Sequence, residues 1–292
     1  MLLVALLLAA ALWWSWSTFQ RIERVDLASV LDPVVGDATN YLLVGSDSRD
    51  EFDPEGDSGV TGRRSDTLIL LRTTSDSALM MSIPRDLWVQ IADTGEMGRI
   101  NGAYNRGPGN LVRTVRTNLG VPVHHYMEVG FGSFAGMVDA LGGVTVEFPH
   151  PAFDPASGLS VSESGPVTLD GGQALAYARS RTYTEVIDGR EVADPTGDLG
   201  RQERQQLFLR TLLGEIGGSR NPVTLARVGS AVSSELIIDS GLGFFEALGL
   251  VRTLGGTEPE TLLLPVEGAR RGTAAVLVTV EPDAQAVLDR FR

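Results

Sequence analysis

From residue 41 onward the chain alternates short apolar runs with polar turns, and the spacing of those runs predicts interleaved strands and helices. Runs at 41–45, 67–72, 78–83, 87–91, 126–129, 144–148, 261–266 and 275–280 read as strands. Val144-Thr145-Val146-Glu147-Phe148 alternates cleanly, and Pro149 and Pro151 end it. Helical spacing runs from Leu111 to Leu119, closed by Gly120, and from Phe131 to Leu141, closed by Gly142-Gly143. Another helix starts at Asp170 or Gly171 and contains Arg179, and a stronger one spans Gly200 to Ile216. Further helices are expected near 222–235, 243–254 and 282–291. Residues 150–166 read as loop, and 182–198 as a polar, irregular insertion. This interleaving predicts an α/β fold, a sheet covered by helices on both faces.

Ahead of this pattern, Leu2 to Phe19 is almost wholly apolar and carries no charge. A helix of about 18–20 such residues can cross a bilayer. Trp13, Trp14 and Trp16 lie near its end, where an interfacial aromatic belt would sit. Residues 1–19 are therefore expected to be a transmembrane anchor, 20–39 a linker, and 40–292 the folded domain. A cleaved signal peptide ending near Ala9-Ala10-Ala11 is the rival reading.

Composition narrows the chemistry. The chain has 292 residues with 24 basic and 37 acidic side chains, a formal net charge of -13, which argues against nucleic acid as a partner. Every basic residue is arginine, so an anion site must use guanidinium forks or backbone amides. The absence of cysteine excludes disulfides, thiolate metal sites and thiol nucleophiles, and three histidines make a multi-histidine metal site a poor expectation. There is no Walker-type loop, no Gly-x-Ser-x-Gly elbow and no His-Glu-x-x-His.

Between residues 40 and 86, apolar runs deliver Asp and Arg together at their ends three times: Ser46-Asp47-Ser48-Arg49, Arg64-Ser65-Asp66 and Pro84-Arg85-Asp86. Paired carboxylates at neighbouring strand ends can share a divalent metal, and arginines can hold phosphate oxygens. Turn chemistry for Asp47 and a strand-entry cap for Asp66 are the plainer alternatives. A second arginine group follows in Arg179-Ser180-Arg181 and in Arg201 and Arg204, with Asp198 near a helix N-terminus. The default for Arg204 is a solvated helix face.

Together these segments resemble the LytR–CpsA–Psr family of bacterial cell-envelope proteins. The resemblance rests on Leu-Leu-Val-Gly-Ser-Asp-Ser-Arg (42–49), Arg-Ser-Asp-Thr (64–67), Ser-Ile-Pro-Arg-Asp (82–86) and Arg-Ile-Asn-Gly-Ala-Tyr (99–104). It continues through Val-Asp-Ala-Leu-Gly-Gly-Val (138–144), Leu-Asp-Gly-Gly-Gln-Ala-Leu-Ala-Tyr-Ala-Arg-Ser-Arg (169–181) and Gly-Asp-Leu-Gly-Arg-Gln-Glu-Arg-Gln (197–205). Each motif alone is weak; seven in family order are specific.

The resemblance implies an α/β/α sandwich with a central mixed sheet and an apolar pocket for a polyprenyl chain. It implies a single-pass membrane protein whose catalytic domain lies outside the cytoplasmic membrane. Such proteins move a glycopolymer from a polyprenyl-diphosphate carrier onto peptidoglycan, with Mg²⁺ or Mn²⁺ as cofactor. The family's metal carboxylates fall on Asp47 and Asp66, and its diphosphate-binding arginines on Arg64, Arg85, Arg179, Arg181 and Arg201. Arg49, Asp86, Arg99 and Asp198 occupy further motif positions. Arg49 joins the diphosphate set, and Asp86 and Arg99 join Arg64 and Arg85 as candidate catalytic residues. The segment between Arg181 and Gly197 is longer than the family pattern, as a mobile lid or a reshaped acceptor side would be. Two other readings stay open: a polyprenyl-diphosphate hydrolase, and a non-catalytic membrane-tethered module that binds polyprenyl phosphates or regulates.

Overall fold

The computed structural model describes residues 14–47, 64–196, 198–219, 221–232 and 235–292. The expected anchor falls largely outside this range; residues 14–19 are helical (α1). Among the described residues no helix is long and apolar enough to cross a membrane. The chain divides into two compact units, one dominated by residues 24–131 and the C-terminal segment, the other by residues 132–236.

The first unit is built on a mixed sheet. Its strands are β1 (Glu23–Val25), β2 (Thr39–Asp47), β3 (Arg64–Thr73), β4 (Ala78–Ser82), β7 (His125–Gly130), β14 (Leu236–Asp239) and β15 (Glu260–Leu263), in the order β1-β14-β7-β2-β3-β4-β15. β2 runs parallel to β7 and antiparallel to β3, β3 antiparallel to β4, and β4 parallel to β15. A hairpin, β5 (Trp88–Gln90) and β6 (Met97–Arg99), precedes the short helix α2 (Asn101–Tyr104) and α3 (Pro108–Leu119).

β3 is continuously apolar because both its faces are covered: Leu68, Leu70, Ile69 and Leu71 are all buried. Leu68 and Leu70 share a core with Leu42, Val44 and Met81, against Leu111, Val112 and Val115 of α3. Gly120 ends α3 in the left-handed region, the conformation glycine adopts without strain. The stretch 20–39, expected as a linker, instead supplies edge strand β1 and places Leu27 and Val30 in this core.

The second unit holds α4 (Phe131–Leu141), which starts at the end of β7, then β8 (Val144–Phe148), β9 (Ala152–Asp154), β10 (Leu159–Val161) and β11 (Gly165–Leu169). It continues with α5 (Gly171–Arg179), β12 (Thr184–Ile187), β13 (Arg190–Ala193), α6 (Asp198–Gly218) and α7 (Pro222–Val232). β8 pairs with β11, and a four-stranded sheet runs β10-β9-β12-β13. Two expectations are corrected here. Residues 150–166 carry three strands, and the 182–198 segment is a β-hairpin whose Thr184 and Glu185 pair with Phe153 and Ala152 of β9. Both readings rested on local polarity, which does not reveal pairing partners thirty residues away. The core of this unit joins Val138, Val144, Phe148, Leu169, Tyr177, Phe208 and Leu212.

The C-terminal segment completes the fold with α8 (Phe244–Gly256), the hairpin β16 (Val266–Arg271) and β17 (Ala274–Thr279), and α9 (Asp283–Leu288).

Candidate active site

In the sheet unit the candidate acids and arginines gather at one end of the sheet. Asp47 closes β2 and lies opposite Arg64, which opens β3; Ser46 lies opposite Ser65 and Gly45 opposite Thr67. The register shift between Gly45 and Ser46 leaves Asp66 as the extra residue of a β-bulge. A bulge re-aims the chain locally, and here it takes in Asp66, one of the two candidate metal carboxylates. For Asp47, Arg64 and Asp66 the backbone is described; Arg49 lies outside the described residues. β4 leaves the sheet at the same end, with the Ile83 amide donating to the Leu68 carbonyl at 2.8 Å. The next residues, Pro84-Arg85-Asp86, therefore continue from there toward the end of the sheet where β3 starts. β7 also ends here, with Gly130 opposite Ser46.

Asp86 is the hub of the described side chains. Its Oδ1 is 3.3 Å from Arg99 Nε, and its Oδ2 is 3.7 Å from Arg85 Nε. Arg85 and Asp86 are partly buried and Arg99 is exposed. The Asn101 amide donates to the Arg85 carbonyl at 3.2 Å, and the Ile100 amide to the Leu87 carbonyl at 2.8 Å. The 82–86 and 99–104 motifs are thus one structural feature.

The C-terminal hairpin supports it, which the sequence did not signal. Leu277 donates its amide to the Asp86 carbonyl at 3.0 Å, and Arg99 donates to the Ala275 carbonyl at 2.9 Å. Beneath, Glu128 of β7 is buried and accepts from the hydroxyls of Tyr104 and, at 2.7 Å, Tyr126. The end of the Arg99–Tyr104 motif is thereby tied to the strand beside β2.

The second unit carries the remaining arginines. α5 begins with a reciprocal capping box: Gln173 donates its amide to Asp170 Oδ1 at 2.8 Å, and Asp170 donates its amide to Gln173 Oε1 at 3.1 Å. Asp139 of α4 accepts from the Gly171 amide at 2.7 Å, and a β-carbon at Gly171 would lie 2.3 Å from the Ala135 carbonyl oxygen. The aspartate of one motif and the glycine of the next therefore fix where α5 starts. Arg179 ends α5 and is exposed, as is Arg181.

The turn between these two arginines is organised by Asp154 of β9, which is fully buried. Asp154 accepts from the Ser180 hydroxyl at 2.7 Å, the Arg181 and Thr182 amides at 2.9 Å each, and the Thr182 hydroxyl at 2.6 Å. Burial opposes its ionisation, but the hydrogen bonds from Thr182 and Ser180 outweigh it and hold the carboxyl far below the usual carboxylate range.

Arg201 is 2% exposed and Arg204 9% exposed, so the expectation of a solvated face for Arg204 is corrected. Arg204 donates to Asp194 at 2.6 Å and to the Ser180 carbonyl at 3.0 Å, and its guanidinium stacks 4.5 Å from the Tyr183 ring centre. Asp194 belongs to the hairpin insertion. Burial opposes its ionisation, but hydrogen bonds from Thr196 and Arg204 depress its carboxyl. Asp198 is the first residue of α6.

Two carboxylates at adjacent strand ends offer hard oxygen donors of the class that Mg²⁺ or Mn²⁺ prefers, leaving positions for water and phosphate oxygens. Among the described residues no group of three or more Asp, Glu or His could hold a metal. The backbone brings Asp47 and Asp66 within one bulge of each other.

The family model for the LytR_cpsA_psr family matches residues 17–292. The chain belongs to the LytR–CpsA–Psr family. It is 35% identical over 209 residues to the probable cell wall biosynthesis protein LcpB of Corynebacterium glutamicum, covering 68% of this chain and 46% of LcpB. It is 37% identical over 200 residues to the polyisoprenyl-teichoic acid–peptidoglycan teichoic acid transferase TagU of Bacillus subtilis, covering 66% of this chain and 58% of TagU. The chain thus spans about half the length of these curated relatives, at 46% and 58%. Among solved structures, the LytR-Csp2A-Psr enzyme from Actinomyces oris superposes with a TM-score of 0.73 at 28% identity, covering 93% of this chain and 96% of that one. The mixed α/β fold with its central mixed sheet is the architecture of this family.

Proposed function

We propose that this LytR–CpsA–Psr chain is a phosphotransferase that moves a glycopolymer from a polyprenyl-diphosphate carrier to peptidoglycan. The observation that carries the reading is the cluster at one sheet end: Asp86 between Arg85 and Arg99, beside the strand ends that bear Asp47, Arg64 and Asp66. The names of LcpB and TagU support the biological setting.

A diphosphate diester carries two negative charges that repel an incoming hydroxyl. Arg64 and Arg85 would neutralise them and stabilise the charge that develops on the departing phosphate. Mg²⁺ or Mn²⁺ held by Asp47 and Asp66 would add Lewis-acid charge at the same phosphates. An acceptor sugar hydroxyl would attack the phosphorus next to the glycopolymer. A new P–O bond forms, the P–O bond to the polyprenyl phosphate breaks, and the hydroxyl proton leaves to solvent or a base. Asp86 is better placed to hold Arg85 and Arg99 than to take that proton, since both its oxygens face guanidinium groups. Arg49, Arg179, Arg181 and Arg201 are assigned to diphosphate binding on the family resemblance alone. The apolar run 2–19 is assigned as a single-pass membrane anchor, with the catalytic part outside the cytoplasmic membrane.

The test is product analysis with a lipid-diphosphate-linked glycan, Mg²⁺, and peptidoglycan fragments present or withheld. A glycan–phosphate–peptidoglycan product is expected. Release of free glycan phosphate regardless of acceptor would make the protein a hydrolase, and binding without turnover would make it a tethered binding module.

A further inference from the structure

α8 breaks the rule for a surface helix. Its inward residues Leu250 and Leu254 are buried, yet its outward face carries Phe245, Leu248 and Val251, which are 81%, 49% and 48% exposed. A helix on a water-facing surface places polar side chains there. In the whole of α8 only Glu246 and Arg252 are charged. Phe245, Leu248 and Val251 recur every three residues, so they form one stripe along the helix.

Two features of the chain say what covers that stripe. The first is its tie to the apolar N-terminal run. Edge strand β1 holds the segment that leads into α8: the Val25 carbonyl accepts from the Ser240 amide at 2.9 Å and hydroxyl at 3.0 Å, and Arg24 donates to the Leu242 carbonyl at 3.2 Å. Phe19, the last residue of the apolar run, is five residues before Arg24. Even fully extended, five residues reach only about 17 Å. The start of α8 is thus kept close to the point where an anchor would leave the bilayer.

The second feature is direction. β14 ends at Asp239, which accepts from the Tyr126 amide at 3.0 Å near the start of β7, whereas the candidate acids lie beyond the other end of that strand. β15, which follows α8, begins with Glu260 opposite Leu79, near the start of β4. Both ends of α8 therefore join the sheet on the side away from Asp47 and Arg85.

We propose that the exposed face of α8 rests in the surface of the lipid bilayer to which the chain is anchored. This rests on the membrane anchoring assigned above and is independent of the transferase activity. A net charge of -13 gives no electrostatic pull toward anionic lipid, so the contact is apolar insertion, to a depth of about 5–10 Å. It is therefore insensitive to salt and to the anionic lipid fraction.

The absence of cysteine makes the test clean. Phe245→Cys, Leu248→Cys and Met97→Cys, the last 53% exposed on β6 beside Arg99, are each spin-labelled in the full-length chain and reconstituted into phosphatidylcholine vesicles. Collision rates with oxygen, which concentrates in lipid, and with a water-soluble nickel chelate are then compared. The expected result is a severalfold higher oxygen-to-nickel ratio at 245 and 248 than at 97, unchanged in 0.5 M salt or with added phosphatidylglycerol (about the ionic strength at which surface charge attraction is screened). Equal, water-like ratios at all three positions would overturn the proposal, as would labels at 245 and 248 shielded from both reagents, which would mean protein covers the stripe. A chain that does not float with the vesicles would overturn the anchor and the docking together. Loss of transferase activity in any variant bears on neither.

Discussion

Asp86 Oδ1 stands 3.3 Å from Arg99 Nε, and this pair joins two segments that are thirteen residues apart in sequence. The pair is partly exposed, so it adds little to stability, about 0–1 kcal/mol. Its value lies in holding guanidinium groups over the end of the sheet. Asp86→Ala is therefore expected to leave the melting temperature nearly unchanged while slowing transfer from a lipid-diphosphate donor. Arg85→Ala is expected to cost more, about 10²–10³-fold in kcat, the scale for losing one preorganised donor to developing charge. Full activity of Arg85→Ala, with circular dichroism unchanged, would remove Arg85 from the site.

Chelation tests the aspartates at the bulge. Transfer is expected to stop in EDTA and return on adding Mg²⁺ or Mn²⁺. Asp47→Asn and Asp66→Asn should each raise the metal concentration needed for half-maximal rate, since each replaces a charged oxygen donor with a neutral one. Metal-independent transfer by the wild-type chain would refute the assignment.

The sheet and the two arginine groups were legible because their signals are local. Apolar runs at 67–72 and 78–83 become strands because they are buried on both faces, and burial leaves its mark residue by residue. What was hidden depends on distant partners. Nothing in the polar sequence around Arg190 announces a strand, because its ladder is completed by Ile187 and, through β12, by Ala152. The C-terminal hairpin gave no hint of supporting Asp86, since that contact is made by the Leu277 backbone amide, which carries no side-chain signature. Arg204 misled for a related reason. Its charge favours solvent, and Asp194, the Ser180 carbonyl and the Tyr183 ring make burial tolerable.

Asp154 makes a pH prediction. Its carboxyl is depressed in the folded chain, so its contribution to stability is fully present above the unfolded value near pH 4 and is lost as pH falls from there toward the depressed value. Melting temperature should therefore fall below about pH 4, and Asp154→Asn should flatten that fall in part, because Asp194 and Asp239 are also depressed. At neutral pH, Asp154→Ala leaves the buried Ser180 hydroxyl without its acceptor, at about 1–3 kcal/mol. If the turn also sets Arg181 for diphosphate, Asp154→Asn should raise KM more than it lowers kcat. A variant with wild-type acid sensitivity would show that Asp154 is not the ionised hub.

Gly200 tests whether the hairpin insertion is a fixed part of the second unit rather than a lid. A β-carbon there would lie 2.2 Å from both Asp194 Oδ2 and Thr196 Oγ1, so the first turn of α6 can approach the end of the hairpin only because residue 200 has no side chain. Asp194 is also held by Arg204 at 2.6 Å, so it cannot withdraw without giving up a partly buried ion pair. Gly200→Ala is thus expected to destabilise the fold by about 1–3 kcal/mol, as overpacking does. Arg204→Lys should lose a similar amount, because an ammonium cannot reproduce the fork to Asp194 and Ser180 or the stacking on Tyr183. In hydrogen exchange, the amides of 184–193 should be protected in the wild type and lose protection in both variants. A hairpin that exchanges freely in the wild-type chain would restore the reading of this segment as a mobile lid.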